Sequence, residues 1–147
     1  MPNNFEEYVD RLQKKIKKKD IKDHNEKIVN LFYNPQNWGK PPNSDITVFL
    51  ERRGGPKNYF LGLYLKIVNN NIIKANFVTD GCGVMVATGS QLTILIKNKP
   101  INFAENLMPD DIDNALMGLP EEEKYCTHLA IETLKDLIKK YKQKELT

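Results

Sequence analysis

The feature that most constrains this fold is a change of hydrophobic period in the middle of the chain. Ile46, Val48 and Leu50 alternate with Thr47, Phe49 and Glu51, the two-residue repeat of a half-buried strand. Tyr59 to Val68 is rich in aromatic and β-branched residues and reads as a second strand. Asn69-Asn70-Asn71 reads as a turn, because asparagine tolerates positive φ. Ile72 to Val78 then returns as a third strand. Three short consecutive strands with tight connections predict an antiparallel meander.

Helical periods flank this centre. Over residues 4–19, Phe5, Tyr8, Val9, Leu12 and Ile16 recur on one face, with Asn4 as the cap. This predicts an extra N-terminal helix, in an extension over 4–23. A second helix spans Asn25 to Tyr33 and stops before Asn34-Pro35, since the residue before proline disfavours helix. Asn34 to Pro42 reads as a rigid loop. From Val84, the residues Met85, Thr88, Leu92, Leu95 and Ile96 form one stripe, which Gly89 weakens slightly. Ile101 to Leu107 and Asp110 to Met117 are short helices around Pro109. Thr127 to Lys144 is the last helix, with Leu129, Ile131, Leu134, Leu137, Ile138 and Tyr141 at or near its core face. Helices, a three-stranded meander and more helices make an α+β fold.

The 147 residues suit one domain with a real core, and no repeat or linker divides them. The net charge of +3 is too small to argue for nucleic acid. The basic run Lys14 to Lys19 is flanked by acidic residues and reads as a solvated helix face. No apolar run approaches the ~18–20 residues of a membrane span. Met1 to Glu7 lacks an apolar secretory core. The expected compartment is the cytoplasm, where thiols stay reduced.

The chemistry centres on Cys82 and Cys126. Cys82 lies between Gly81 and Gly83 at a strand-to-helix junction, where glycines let the backbone turn and leave space around the sulfur. Amides of the following helix would point at that sulfur and favour the thiolate, the form that binds metal. Cys126 also precedes a predicted helix, so the same lowering is expected there. Against this, cysteine is often a buried small hydrophobe, and a pair 44 residues apart matches no zinc spacing. Spacing alone leaves both readings open.

Longer stretches carry more. Asn34-Pro35-Gln36-Asn37-Trp38-Gly39, Tyr64 to Ile67, Asp80-Gly81-Cys82-Gly83, Ala87 to Thr93, Lys97 to Ile101, Leu119-Pro120-Glu121-Glu122 and Cys126 to Leu134 occur in a recognisable order. Over residues 28–143 the chain resembles the IscU/NifU N-terminal family of iron–sulfur cluster scaffolds. The resemblance implies helices packed on one face of the sheet, with the ligand loops at one end. It implies a two-iron iron–sulfur cluster, or iron held transiently, with zinc as an in vitro occupant. Cysteine desulfurase and cluster-acceptor proteins are the implied partners.

The family presents three ligand loops: cysteine-glycine-aspartate, glycine-cysteine, and a histidine close to a cysteine. Cys82 and Cys126 match the second and third cysteines. Lys57 stands where the first cysteine belongs, Tyr59 where the aspartate belongs, and Tyr125 where the histidine adjoins the third cysteine. The chain resembles a divergent member lacking the first ligand cysteine. Asp80 and His128 are additional candidate ligands; His24, in a charged stretch, is read as unrelated.

Two functions remain. One is a scaffold or cluster carrier, with a homodimer pooling four thiolates around a shared cluster. The other is a degenerate scaffold fold that binds assembly partners without holding a cluster. No triad, phosphate loop or metalloprotease motif supports an enzyme, and no catalytic residue is expected.

Overall fold

The computed structural model describes residues 24–146. The N-terminal helix predicted within 4–23 lies outside the described residues. Helix α1 (Glu26–Tyr33) is capped by Asn25, whose side chain accepts from the Ile28 amide at 3.0 Å. The sheet follows: β1 (Val48–Gly54), β2 (Tyr59–Val68) and β3 (Asn71–Thr79). Both connections are antiparallel hairpins. Asn69 and Asn70 have φ of 53° and 62°, as expected of a turn that needs the left-handed region.

A fourth strand, β4 (Lys99–Pro100), pairs antiparallel with Asn71 and Ile72, so the order is β1-β2-β3-β4 rather than a three-stranded sheet. Two residues ending in proline carry no readable period. Their pairing is set by backbone bonds from Asn98 to Ile72 and from Ile101 to Asn70.

Alternation fixes which face of the sheet is covered. Leu61, Leu63, Leu65 and Ile67 of β2 are buried, and so are Ile72, Ala75, Phe77 and Thr79 of β3. The parity break between Ile72 and Ala75 coincides with a register shift after Lys66. One extra residue there keeps both halves of β3 facing the core. Lys66 and Lys74 are cross-strand partners, and Asp45 accepts from both, at 3.1 and 3.2 Å. This offsets their mutual repulsion.

Helix α2 (Gly83–Ile96) is buried on nearly every side. Gly89, which looks like a weakness in the sequence, is where α2 meets the Phe77 ring: a Cβ there would lie 2.4 Å from ring carbons. Short helices α3 (Ile101–Glu105) and α4 (Pro109–Ala115) follow. The Asp111 carboxylate accepts from the Met108 amide at the start of α4. The last helix, α5 (Tyr125–Leu146), runs beside β1. Arg52 donates to Asp136 at 2.6 Å and to Thr133 at 3.1 Å, tying the two together. Gly54 permits the closest approach, since a Cβ there would sit 2.7 Å from a Leu129 methyl. Among the described residues no helix is long and apolar enough to cross a membrane.

These contacts bring three places to one end of the sheet: the β1–β2 turn, the β3–α2 junction and the first turn of α5.

Candidate metal centre

Cys82 is the N-cap of α2, with φ −70° and ψ 177°. The amides of Val84 and Met85 point at its sulfur, as the junction predicts. Cys126 is the second residue of α5 and is fully buried, whereas Cys82 is partly exposed. The two side chains hydrogen-bond to each other. Residues 44 positions apart in the chain are therefore neighbours in space.

Two tyrosines close the group. Tyr59 begins β2 and Tyr125 begins α5. Their ring centroids are 6.1 Å apart. Tyr59 hydrogen-bonds to Tyr125 and to Cys82, and Tyr125 also interacts with Cys126. Tyr59, Tyr125, Cys126 and Cys82 thus form one ring of neighbouring side chains. Glycines give it room. A Cβ on Gly81 would lie 2.9 Å from the Tyr59 ring and 2.7 Å from the Met85 Cβ.

The ring divides the two thiols. Hydrogen bonding from Cys126 contributes most to lowering the Cys82 thiol; Tyr59 and the Met85 and Val84 amides add to it. Burial opposes them, and the net result is about 5. Cys126 moves the other way, because its bond to Cys82 and its burial both favour the protonated thiol. The expectation that both thiols are lowered therefore holds only for Cys82. Cys126 is the donor that stabilises its neighbour's charge. Burial, then its bond to Tyr59, pushes the Tyr125 phenol up. For Tyr59 the bond from Tyr125 acts downward, but the bond to Cys82 and burial together outweigh it and leave that phenol raised.

Other predicted residues are elsewhere. Asp80 accepts from the Phe60 amide at 2.7 Å and from Arg53 at 3.0 Å, so its carboxylate is committed to the strands. Those bonds, the Phe60 amide first, hold it below the usual carboxylate range. His128 is exposed. Two residues past Cys126 is roughly 200° around a helix, which turns it away from the thiols. Lys57 is exposed on the β1–β2 turn and takes no part in the ring. Among the described residues no cluster of three or more histidine, cysteine, aspartate or glutamate side chains is placed to hold a metal. The further donors beside the two sulfurs are phenol oxygens.

His24, read as unrelated, borders the site. Its imidazole donates to Glu123 at 2.8 Å, across 99 positions of sequence. Together with Phe32 and Cys82 this pair lines a cavity of about 190 Å³. No local pattern around His24 signals this; only the packing of α1 against α2 brings it near Cys82.

The fold and this site define an α+β domain that presents a thiol pair, one lowered and one raised, at one end of an antiparallel sheet. The family model for the NifU-like N terminal domain matches residues 23–147, and the chain belongs to that family. It is 37% identical over 126 residues to the iron-sulfur cluster assembly scaffold protein IscU of Aquifex aeolicus, covering 84% of this chain and 78% of that one. It is 32% identical over 123 residues to the scaffold protein IscU of Escherichia coli K12, covering 82% of this chain and 95% of that one. The fold is similar, with TM-score 0.62 and 16% identity, to a crystal structure from Fervidobacterium islandicum AW-1 described as a candidate iron-sulfur cluster assembly scaffold for the SUF system. That match covers 80% of this chain and 97% of the other.

Proposed function

We propose that this chain is a non-enzymatic iron–sulfur cluster assembly scaffold or carrier. A two-iron cluster would be its cargo, with Cys82 and Cys126 as thiolate ligands. The observation that carries this is that two separate elements bring the Cys82 and Cys126 thiols close enough to shift each other, Cys82 toward the thiolate. Thiolate is the form iron takes. The relatives named above are scaffold proteins, which supports the same reading. In it, a cysteine desulfurase supplies sulfur, acceptor proteins take the finished cluster, and the work is cytoplasmic.

Each thiol that becomes a ligand must give up its proton. Cys82 is prepared for this. Cys126 surrenders its proton only as the metal arrives and replaces the hydrogen bond with a shared cation.

Anaerobic reconstitution with ferrous iron and sulfide tests the proposal. The expected result is a coloured protein whose colour is lost in Cys82→Ser and in Cys126→Ser. A parent that stays colourless while still binding a cysteine desulfurase would instead support the reading as an interaction protein.

A further inference from the structure

We propose that the open middle of the β3 edge binds the carboxylate end of an amino acid, free or as the last residue of a peptide, by pairing with the Ala75 backbone and with the lysines beside it. This goes beyond the scaffold reading and does not rest on it.

Two short segments cover the outer edge of β3. At one end residues 37–39 run parallel to it. The Phe77 amide donates to the Asn37 carbonyl at 3.1 Å, and the Gly39 amide donates to the Phe77 carbonyl at 2.9 Å. At the other end the Asn98 amide donates to the Ile72 carbonyl at 2.6 Å, and β4 pairs with Asn71 and Ile72. Ala75 lies between them. Residues two apart on a strand present their N–H and C=O to the same edge, so Ala75 faces outward as Phe77 does. Leu65, its partner on β2, agrees: it turns its carbonyl the other way, to the Thr47 amide.

Among the described residues nothing bonds to the outward N–H or C=O of Ala75. Yet Ala75 is only 2% exposed. A buried backbone donor and acceptor need partners. Ala75 lines a cavity of about 280 Å³ together with Asn37, Asp45, Lys74, Asn76 and Lys97. One wall is fixed before anything binds. The Asn37 side chain donates to Thr93 at 3.0 Å, and its carbonyl also accepts from the Asn76 side chain at 3.2 Å.

The backbone selects the occupant. A donor and an acceptor on one residue are matched by one extended residue lying antiparallel, which exchanges both bonds. There is room for only one, because residues 37–39 and Asn98 hold the edge on either side. A chain that must stop after one residue is a chain end. Antiparallel seating puts the occupant's carbonyl on the Ala75 N–H, at the Lys74 side. Its N–H then meets the Ala75 C=O, at the Asn76 side. The end that stops at the lysines is therefore the carboxylate.

Charge agrees with direction. Lys97 makes no ion pair among the described residues. Asp45 is shared by Lys66 and Lys74, at 3.1 and 3.2 Å, so it offsets only one of those two cations. The excess is positive and favours an anionic end. The site is separate from the thiols. Cys82 precedes the first residue of α2 and Lys97 follows the last, a helix length of about 20 Å.

The test follows amide NMR of the isotope-labelled full chain during titration with millimolar N-acetylglycine, glycine and N-acetylglycinamide. N-acetylglycine copies the last residue of a peptide, glycine is a free amino acid, and the amide lacks the charge. A saturable shift of the Ala75 amide is expected with at least one of the two carboxylates. A response to N-acetylglycine alone assigns the site to a peptide end, and a response to glycine alone to a free amino acid. N-acetylglycinamide should bind at least about threefold more weakly than the carboxylate that responds. Lys97 is exposed, so Lys97→Gln leaves the core untouched, and it should weaken that carboxylate by a similar factor. No shift at Ala75 with either carboxylate, equal binding of the amide, or equal binding by Lys97→Gln would overturn the proposal.

Discussion

Cys126 donates a hydrogen bond to Cys82, and that contact is the largest single influence on the Cys82 thiol. One sulfur is buried and protonated so that the other, at the cap of α2, can carry charge near neutrality. The arrangement makes the reactivity of one cysteine a measure of the presence of the other.

Alkylation of Cys82 by iodoacetamide should therefore follow a titration centred near pH 5, and be on its plateau at pH 7. Cys126→Ala removes the main donor and should move that titration toward the ordinary thiol range. The sign for stability follows. The folded thiol lies below its unfolded value, so its contribution is fully present above the unfolded value and declines as pH falls toward 5. Rates measured by mass spectrometry across pH, in parent and variant, check this; identical profiles would exclude Cys126 as the donor.

Gly89→Ala should destabilise the fold, although alanine is the better helix former by about 1 kcal/mol. The new methyl would lie 2.4 Å from the Phe77 ring, in the middle of the sheet–helix contact. Overpacking of this kind costs about 1–3 kcal/mol. A urea midpoint unchanged or raised would mean that α2 can move off the sheet at no cost.

The strands and long helices were legible because aromatic and β-branched runs or helical stripes mark them over seven or more residues: β2 occupies Tyr59–Val68 as the residues suggest. The β4 pairing was not, because it depends on backbone bonds from neighbouring loops rather than on side chains. At the site, Cys82 and Cys126 stood out by their junctions and by the family resemblance. Tyr59 and Tyr125 were visible only as substitutions; their contact with the sulfurs needs two separate elements to meet. The bond of Asp80 to Arg53, 27 positions away, was not legible from its sequence proximity to Cys82. His24 was passed over because its partner, Glu123, is 99 positions away.

Gly81→Ala should disturb the site more than the fold around it. Its methyl would press on Met85 and on the Tyr59 ring, at 2.7 and 2.9 Å. The Met85 contact is to a Cβ, which cannot move without its helix; the Tyr59 ring can. Expulsion of Tyr59 would remove a donor from Cys82, so the alkylation titration of Cys82 should shift upward. Near-ultraviolet circular dichroism of the tyrosines and the iodoacetamide profile report the two effects separately.

Zinc separates the two ligand chemistries. The parent offers two thiolates and two phenols, a poor match to zinc's preference for sulfur and nitrogen, so added zinc should raise its Tm little. Lys57→Cys with Tyr59→Asp would offer three thiolates and a carboxylate. The β1–β2 turn already lies against Tyr125 through Gly55, which brings the new thiol toward the ring. The change also removes a cation that repels an incoming metal. Metal that binds only the folded state stabilises it by about 2.7 kcal/mol at a hundredfold excess over Kd. The double variant should therefore gain clearly more Tm with zinc than the parent does, in scans at matched metal concentration. Equal gains would mean either that the turn cannot reach the sulfurs, or that the phenols serve zinc as well as a thiolate and a carboxylate do. Zinc titration of Tyr59→Phe then separates those outcomes, since only the second predicts that losing one phenol oxygen lowers the parent's gain.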